Sequence, residues 1–251
     1  MMRYFINLSY NGTNYHGWQA QKNAISIQKV LTDALCMMLR EEVSLTGCGR
    51  TDAGVHAREY YAHMDLVKEL GRTQAGKLVF KLNSFLGKDI SLREIFSVRP
   101  DAHARFSATL RTYKYYITLV KDPFLVDRSY YHFGPIDIDL MNRGAELIMK
   151  YSDFTSFSKV DSDTKTKICR ISEAQWERSG DLLVFTISAD RFLRNMVRAI
   201  VGTLLDLGTG KMLLRDLKLV IEAKNRSDAG DSVAACGLFL EQVVYPEDIR
   251  S

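Results

Sequence analysis

The hydrophobic period changes several times along this chain, and each change narrows the folds open to it. Tyr4, Ile6, Leu8 and Tyr10 alternate with Arg3, Phe5, Asn7 and Ser9, which is the period of a strand with two usable faces. Asn11-Gly12-Thr13 breaks that pattern as a turn. From Ser26 onward Ile27, Val30, Leu31, Ala34, Leu35, Met38 and Leu39 fall at helical spacing, with Ser26 placed as the N-cap. Val43–Cys48 and Tyr60–Leu66 read as two more strands flanking the glycine-rich turn Gly49–Gly54. A helix over Gln74–Phe85 follows, then extended segments at Ile90–Val98 and Tyr113–Val120.

The second half repeats this order loosely. Helices are expected at Leu140–Lys150, Phe192–Leu207 and Leu213–Ala223. Ile168–Arg178 and Leu182–Ala189 pair as strands through the turn Ser179-Gly180-Asp181, and Leu238–Tyr245 closes the chain as a strand. The run Asp161–Lys167 alternates in charge and reads as a solvated loop. Short turns between strand pairs favour antiparallel hairpins, so the class is α+β rather than a doubly wound parallel sheet. Two similar mixed halves, residues 1–105 and 106–251, with largely antiparallel sheets flanked by helices, are expected.

Composition excludes several alternatives. Of 251 residues, 46% are hydrophobic and 25% charged, which rules out a disordered chain. The four cysteines at 36, 48, 169 and 236 form no CxxC pair and have no histidine at zinc-ligand spacing, so reduced thiols are expected. The start MMRYFINLSYNG lacks the apolar core of a signal peptide, and no run of about 18 apolar residues occurs anywhere. A cytoplasmic chain without a membrane span is the expectation. The net charge of +4 is mild, yet it is uneven: residues 1–105 carry 14 basic and 10 acidic side chains, the remainder 20 of each. Arg93, Arg99, Arg105, Arg111, Lys114 and Lys121 stand in one window against only Glu94 and Asp101, which suits a phosphate-bearing partner.

Three segments carry candidate chemistry. In Gly47–Ala57 three glycines in eight residues let the backbone bend sharply around a lone carboxylate, Asp52, two residues after Arg50. Such an Asp either bonds backbone amides two residues on, or is presented for nucleophilic or general-base work. In Arg191–Leu205, Arg191, Arg194 and Arg198 fall within about 60° of one another on a helical wheel. They form either a solvated basic face or a guanidinium row for phosphates, one of which could pair a catalytic carboxylate. In Ala102–Tyr116, basic residues interleave with Phe106, Tyr113, Tyr115 and Tyr116, as core strand residues or as a stacking surface for RNA. The histidines match no metal spacing, and no dinucleotide or phosphate-loop signature is present. On residues alone, a glycoside or nucleoside hydrolase with a second, distant carboxylate stays open.

Taken together, these segments resemble the tRNA pseudouridine synthase A family. The resemblance rests on Tyr10-Asn11-Gly12-Thr13 with Gly17-Trp18-Gln19, and on Gly49-Arg50-Thr51-Asp52-Ala53-Gly54-Val55-His56-Ala57. It continues through Leu82-Asn83 with Asp89-Ile90, and through His103-Ala104-Arg105-Phe106-Ser107-Ala108 with Arg111-Thr112-Tyr113-Lys114-Tyr115. Asn195-Met196-Val197-Arg198-Ala199-Ile200-Val201-Gly202 and Gly237-Leu238-Phe239-Leu240 complete it. Two departures are visible: Asn11 stands where Asp is common, and Ala234 where the family often has Pro.

The resemblance implies isomerisation of uridine to pseudouridine at positions 38–40 of the tRNA anticodon stem-loop, in an active cleft between the two halves, without metal or other cofactor. It makes Asp52 the essential carboxylate and Arg198 its partner. Tyr113 is expected to stack on the extruded uracil, and Arg50 to fill the space the uridine vacates. Arg191, Arg194 and the Arg93–Lys121 cluster would meet phosphates, and the family is homodimeric. A pseudouridine synthase for another RNA, or a non-catalytic RNA-binding protein, are the rival readings.

Overall fold

The computed structural model describes residues 1–160 and 164–251. Residues 161–163 of the expected charged loop lie outside the described residues. The class is α+β: among the described residues antiparallel pairing dominates, and five α-helices flank the strands. The chain divides into two compact units, Met1–Leu110 with Leu240–Ser251, and Arg111–Phe239.

In the first unit β1 (Met2–Tyr10) is central, antiparallel to β3 (His56–Leu66) on one side and to β4 (Ile90–Ser97) on the other. Being paired on both edges, it buries Tyr4, Phe5, Ile6, Leu8 and Tyr10. The helix α1 (Ile27–Leu39) buries Ile27, Leu31, Ala34 and Leu35, and the Ser26 hydroxyl accepts from the Lys29 amide at 3.3 Å as the cap. The strand expected over Val43–Cys48 contracts to β2 (Thr46–Gly47), whereas β3 starts at His56 rather than Tyr60. Helix α2 (Arg72–Phe85) is tied to β4 by the Asn83 amide group. It donates to the Leu92 carbonyl at 2.8 Å and accepts from the Leu92 amide at 2.7 Å.

The C-terminal segment is anchored in this first unit. Tyr245 packs edge-on against Phe5 at 5.2 Å, Arg99 pairs with Asp248 at 2.7 Å, and Arg250 forks onto Glu94 at 3.0 and 2.8 Å.

The turn that follows β4 leans on His63 of β3. The His63 Nδ1 accepts from the Ala104 amide at 3.2 Å, so this imidazole is neutral with its proton on Nε2. Burial, then His103 and Arg3 nearby, lower its pKa from 6.5 to about 4, against the weaker opposing pull of Asp65. The folded protein therefore binds fewer protons than the unfolded chain between about pH 6.5 and 4, and stability falls on acidification through that window. Titration of His63 should account for about 2–3 kcal/mol of that loss. His63→Gln keeps a neutral acceptor, so its urea midpoint should vary less steeply with pH there; an unaltered slope would contradict the assignment.

In the second unit β5 (Leu110–Thr118), β7 (Ile171–Ser179) and β8 (Leu182–Ala189) run in the order β5-β8-β7, all antiparallel, and β6 (Tyr130–Tyr131) pairs parallel to β5. Gly180, at φ +60, supplies the left-handed residue of the turn joining β7 to β8. The helix α3 (Ile138–Ile148) packs close to α4 (Met196–Gly208) and α5 (Leu214–Ala223). A Cβ on Gly144 would lie 2.6–3.2 Å from Leu207, Leu204 and Leu217.

The helix expected to begin at Phe192 begins only at Met196. Asn195, at φ 66, turns left-handed and interrupts the helical path; Asn tolerates this because its short polar side chain suits that region. Arg191 and Arg194 consequently lie outside the helix. The row of three arginines expected on one helical face is not formed, and only Arg198 is helical. The opposite face is as expected, with Leu193, Met196, Val197, Ile200 and Leu204 buried. The last strand, β9 (Leu238–Val244), has its residues from Leu240 onward in the first unit, where it neighbours β3.

Candidate active site

The loop between β2 and β3 is built around Thr51. Its hydroxyl hydrogen-bonds the Tyr10 phenol at 2.9 Å and accepts from the Trp18 amide at 3.1 Å, while the Thr51 carbonyl takes a longer bond, 3.4 Å, from the same amide. The Tyr60 phenol donates to the Gly49 carbonyl at the loop's entry. Trp18 stacks on Tyr60 at 4.2 Å, and Tyr10 leans on Tyr60 at 5.5 Å, so three aromatic rings floor the loop. Beyond Asp52 the Val55 amide closes a turn onto the Asp52 carbonyl at 3.2 Å, and the Gly54 amide, at φ +79, donates to the Tyr15 carbonyl at 3.2 Å. Asp52 is half-buried in this frame and Arg50 is exposed.

A second stretch of chain passes close beneath. Gly17 adopts φ +80, and a Cβ there would lie 2.2 Å from the Thr51 carbonyl oxygen. The Gly12 amide donates to Nδ1 of buried His56 at 3.1 Å, which fixes that imidazole as a neutral acceptor. The motif Tyr10–Gln19 is thus the underside of the Asp52 loop. Gly17→Ala has no unstrained solution, because the left-handed backbone and the backbone oxygen both oppose it. It should lower stability by about 2 kcal/mol in urea denaturation. An unchanged midpoint would show that the two segments separate more readily than this packing indicates.

Asn11 keeps the turn where Asp is common in the family, since its Oδ1 accepts from the Thr13 amide at 3.1 Å and from the Thr13 hydroxyl at 2.7 Å. Ala234 has φ −53, a value close to that of proline, so the chain follows the proline path with an ordinary residue.

In the second unit Tyr113 lies on β5 opposite Ile187 of β8, its half-buried ring edge-on to Phe192 at 5.1 Å. Two residues along the same face, Tyr115 is fully buried; burial pushes its phenol pKa well up, so it stays a donor, to the Ala234 carbonyl at 2.8 Å. Arg198, half-buried on α4, donates from Nε to the neighbouring Val233 carbonyl at 2.7 Å, and the Val233 amide donates to the Arg198 carbonyl at 3.3 Å. Segment 231–234 can lie this close because a Cβ on Gly202 would fall 1.8 Å from the Asp231 carbonyl oxygen. Adjacent carbonyls therefore hold Arg198 beside the strand face that carries Tyr113 and Tyr115.

The sequence-derived set thus divides by unit. Arg50 and Asp52 share one loop of the first unit; Tyr113 and Arg198 both belong to the second. Within the basic window, Arg99 is committed to Asp248 and, at 3.6 Å, to Asp101, and Arg111 donates to the Asp190 carbonyl at 2.8 Å. Arg93, Arg105 and Lys121 are exposed. Sequence reasoning did not assign the supporting roles of Thr51, Tyr60 and the Val233 carbonyl. The one signal was the glycine content of the stretch Gly47–Ala57, and of those glycines Gly47 is where a Cβ would meet the Tyr60 and Trp18 side chains.

All four cysteines are free thiols. Among the described residues no cluster of three or more His, Cys, Asp or Glu could hold a metal ion, and no helix is long and apolar enough to cross a membrane.

An α+β chain that presents one half-buried carboxylate on a glycine-pinned loop, with an arginine and an aromatic fixed in its second unit, has the parts of a pseudouridine synthase. A family model described as tRNA pseudouridine synthase matches residues 151–246. The tRNA pseudouridine synthase A of Bacteroides fragilis is 52% identical over 250 residues, 99% of this chain and 98% of that protein. That of Porphyromonas gingivalis is 49% identical over 252 residues, 99% of each chain. The protein of the same name from Caldicellulosiruptor bescii is 38% identical over 247 residues, 98% of this chain and 100% of its own length. The chain belongs to the tRNA pseudouridine synthase A family.

Proposed function

We propose that this protein isomerises uridine to pseudouridine in tRNA, at positions 38–40 of the anticodon stem-loop, with Asp52 as the reacting carboxylate. The observation that carries this reading is the bonded loop: hydrogen bonds and stacked rings hold the main chain around Asp52, which is half-buried there. The reaction breaks the bond from uracil N1 to the ribose, turns the base, and joins C5 to the same ribose carbon. The C5 proton is released and N1 gains one, so the change is an isomerisation with no oxidation or reduction. A uridine inside a stacked helix is out of reach, so the target must first be turned out of the stack.

The remaining roles follow the same reading. Tyr113 stacks on the turned-out uracil, a role suited by a ring already steadied edge-on by Phe192. Arg198 is the cation that partners the carboxylate during the reaction. Arg50, exposed and planar, fills the place the base leaves. The protein works in the cytoplasm as a homodimer, as the family resemblance implies.

A tRNA transcript carrying tritium at uracil C5 tests the central proposal. Release of tritium to water by the wild-type protein, with pseudouridine at positions 38–40, is the expected result. Tight binding of several tRNAs without release would favour an RNA-binding protein, and release only from another RNA would move the target.

A further inference from the structure

The turn His103–Ser107 of the first unit displays an aromatic ring that its own fold does not use. Phe106 is 74% exposed, and what sets it apart from other exposed apolar side chains of the chain is the firmly bonded turn that carries it and the cation beside its ring. The turn itself is firmly held. His103 Nδ1 accepts from the Arg105 amide at 3.0 Å and from the Phe106 amide at 3.3 Å. The His103 amide donates to the Ser107 hydroxyl, and the Ser107 amide to the His103 carbonyl, each at 2.9 Å. Beneath them Arg3 donates to the Ala102 carbonyl at 2.9 Å, and the Tyr245 phenol to the Ala104 carbonyl at 2.6 Å. Arg3 is in turn fixed by two bonds of 2.7 Å to Asp65. On this base the His103 ring lies 4.4 Å from Phe106, and the Arg105 guanidinium sits 5.4 Å from the same ring centre.

We propose that Phe106 and Arg105 form a second RNA-holding site, remote from the reacting base. The ring would stack on an unpaired base or ribose, and the guanidinium would meet the adjoining phosphate. A ring beside a cation is the chemistry that grips single-stranded or splayed nucleotides without reading sequence. The excess positive charge of the chain lies in residues 1–105, of which Arg105 is the last. Distance sets the role. Strand β3 begins at His56, just after the Asp52 turn, whereas the Ala104 amide is tied to His63, seven residues further along. At the rise of a strand that is roughly 20 Å, too far for Phe106 to touch the uracil at Asp52. Phe106 is thus a positioning residue, and this inference rests on the tRNA reading above.

The test compares Phe106→Leu, Phe106→Trp and Arg105→Gln on full-length tRNA and on an excised anticodon stem-loop, by fluorescence-anisotropy binding and tritium release. For Phe106→Leu the Kd and KM for tRNA should rise about tenfold while kcat holds within twofold. Phe106→Trp should restore both. Arg105→Gln should lower the slope of log affinity against log salt by about one. On the excised stem-loop, trimmed to the few pairs beside the target so that no RNA extends roughly 20 Å from the reacting base, the variants should differ from wild type by less than twofold. Unchanged tRNA affinity in Phe106→Leu would overturn the proposal. So would an equal loss on the trimmed stem-loop, which would put the ring at the reaction or make the turn structural, or a fall in the mass of the sedimenting assembly, which would make it a contact between copies. Wild-type protein that bound tRNA but released no tritium would sink the enzymatic reading. Loss of tRNA binding in Phe106→Leu would then still support this site.

Discussion

Asp52→Asn should bind tRNA and leave it unmodified. Asn preserves the size of the side chain and much of its hydrogen-bonding capacity but removes the negative charge. Attack on the ribose, attack on the base and removal of a sugar proton all require that charge, so the expectation does not depend on which route operates. Loss of the reacting group should reduce kcat by at least about 10³-fold, at the upper end of what a single acid–base group contributes and beyond the effect of a misplaced one. The tRNA Kd should stay within about threefold, because the main chain is held by Thr51, Tyr60, Gly54 and Val55. Tritium release and anisotropy on the same preparation separate the two effects. Residual turnover near wild type would remove Asp52 from the chemistry.

That loop also marks how far the sequence could be read. The carboxylate, its glycines and the neighbouring Arg50 were legible because they are adjacent in the chain. The alternation in β1 and the Ser26 cap of α1 were legible for the same reason: strand period and cap chemistry are local. What holds the loop was not. Gly17 and Thr51 touch across 34 positions, and only the φ of +80 and a 2.2 Å approach show why glycine is needed at 17. Local propensity also failed where one residue redirected the chain. Nothing in the apolar pattern of Phe192–Leu207 signals that Asn195 turns left-handed, and that single dihedral removes Arg191 and Arg194 from the arginine row. The start of β3 was misread for a related reason. His56 and Ala57 are polar and small by type, yet both are buried, because Gly12 donates to His56 and Ala57 lies opposite Tyr10.

Arg198 poses the second large expectation, because its charge and its packing can be separated. Its Nε–Val233 bond fixes the direction of the guanidinium, and the left-handed Asn195 sets where α4 starts, so the side chain is oriented before any RNA arrives. Arg198→Met keeps most of the aliphatic length on a helix whose remaining inner face is apolar. It leaves the Val233 carbonyl without this donor, a loss of about 1 kcal/mol for that bond, and should shift the melting midpoint by only a few degrees. Turnover should fall by about 10²–10³, the loss typical when one preorganised charge-stabilising donor is removed. Arg198→Lys should recover part of that activity, since it returns the charge without the planar fork or the Nε donor. If Met and Lys are equally inactive, orientation rather than charge is what Arg198 provides. A cooperative melt far below wild type in Arg198→Met would instead make this arginine a strut between α4 and segment 231–234, and the catalytic cation would have to be sought elsewhere.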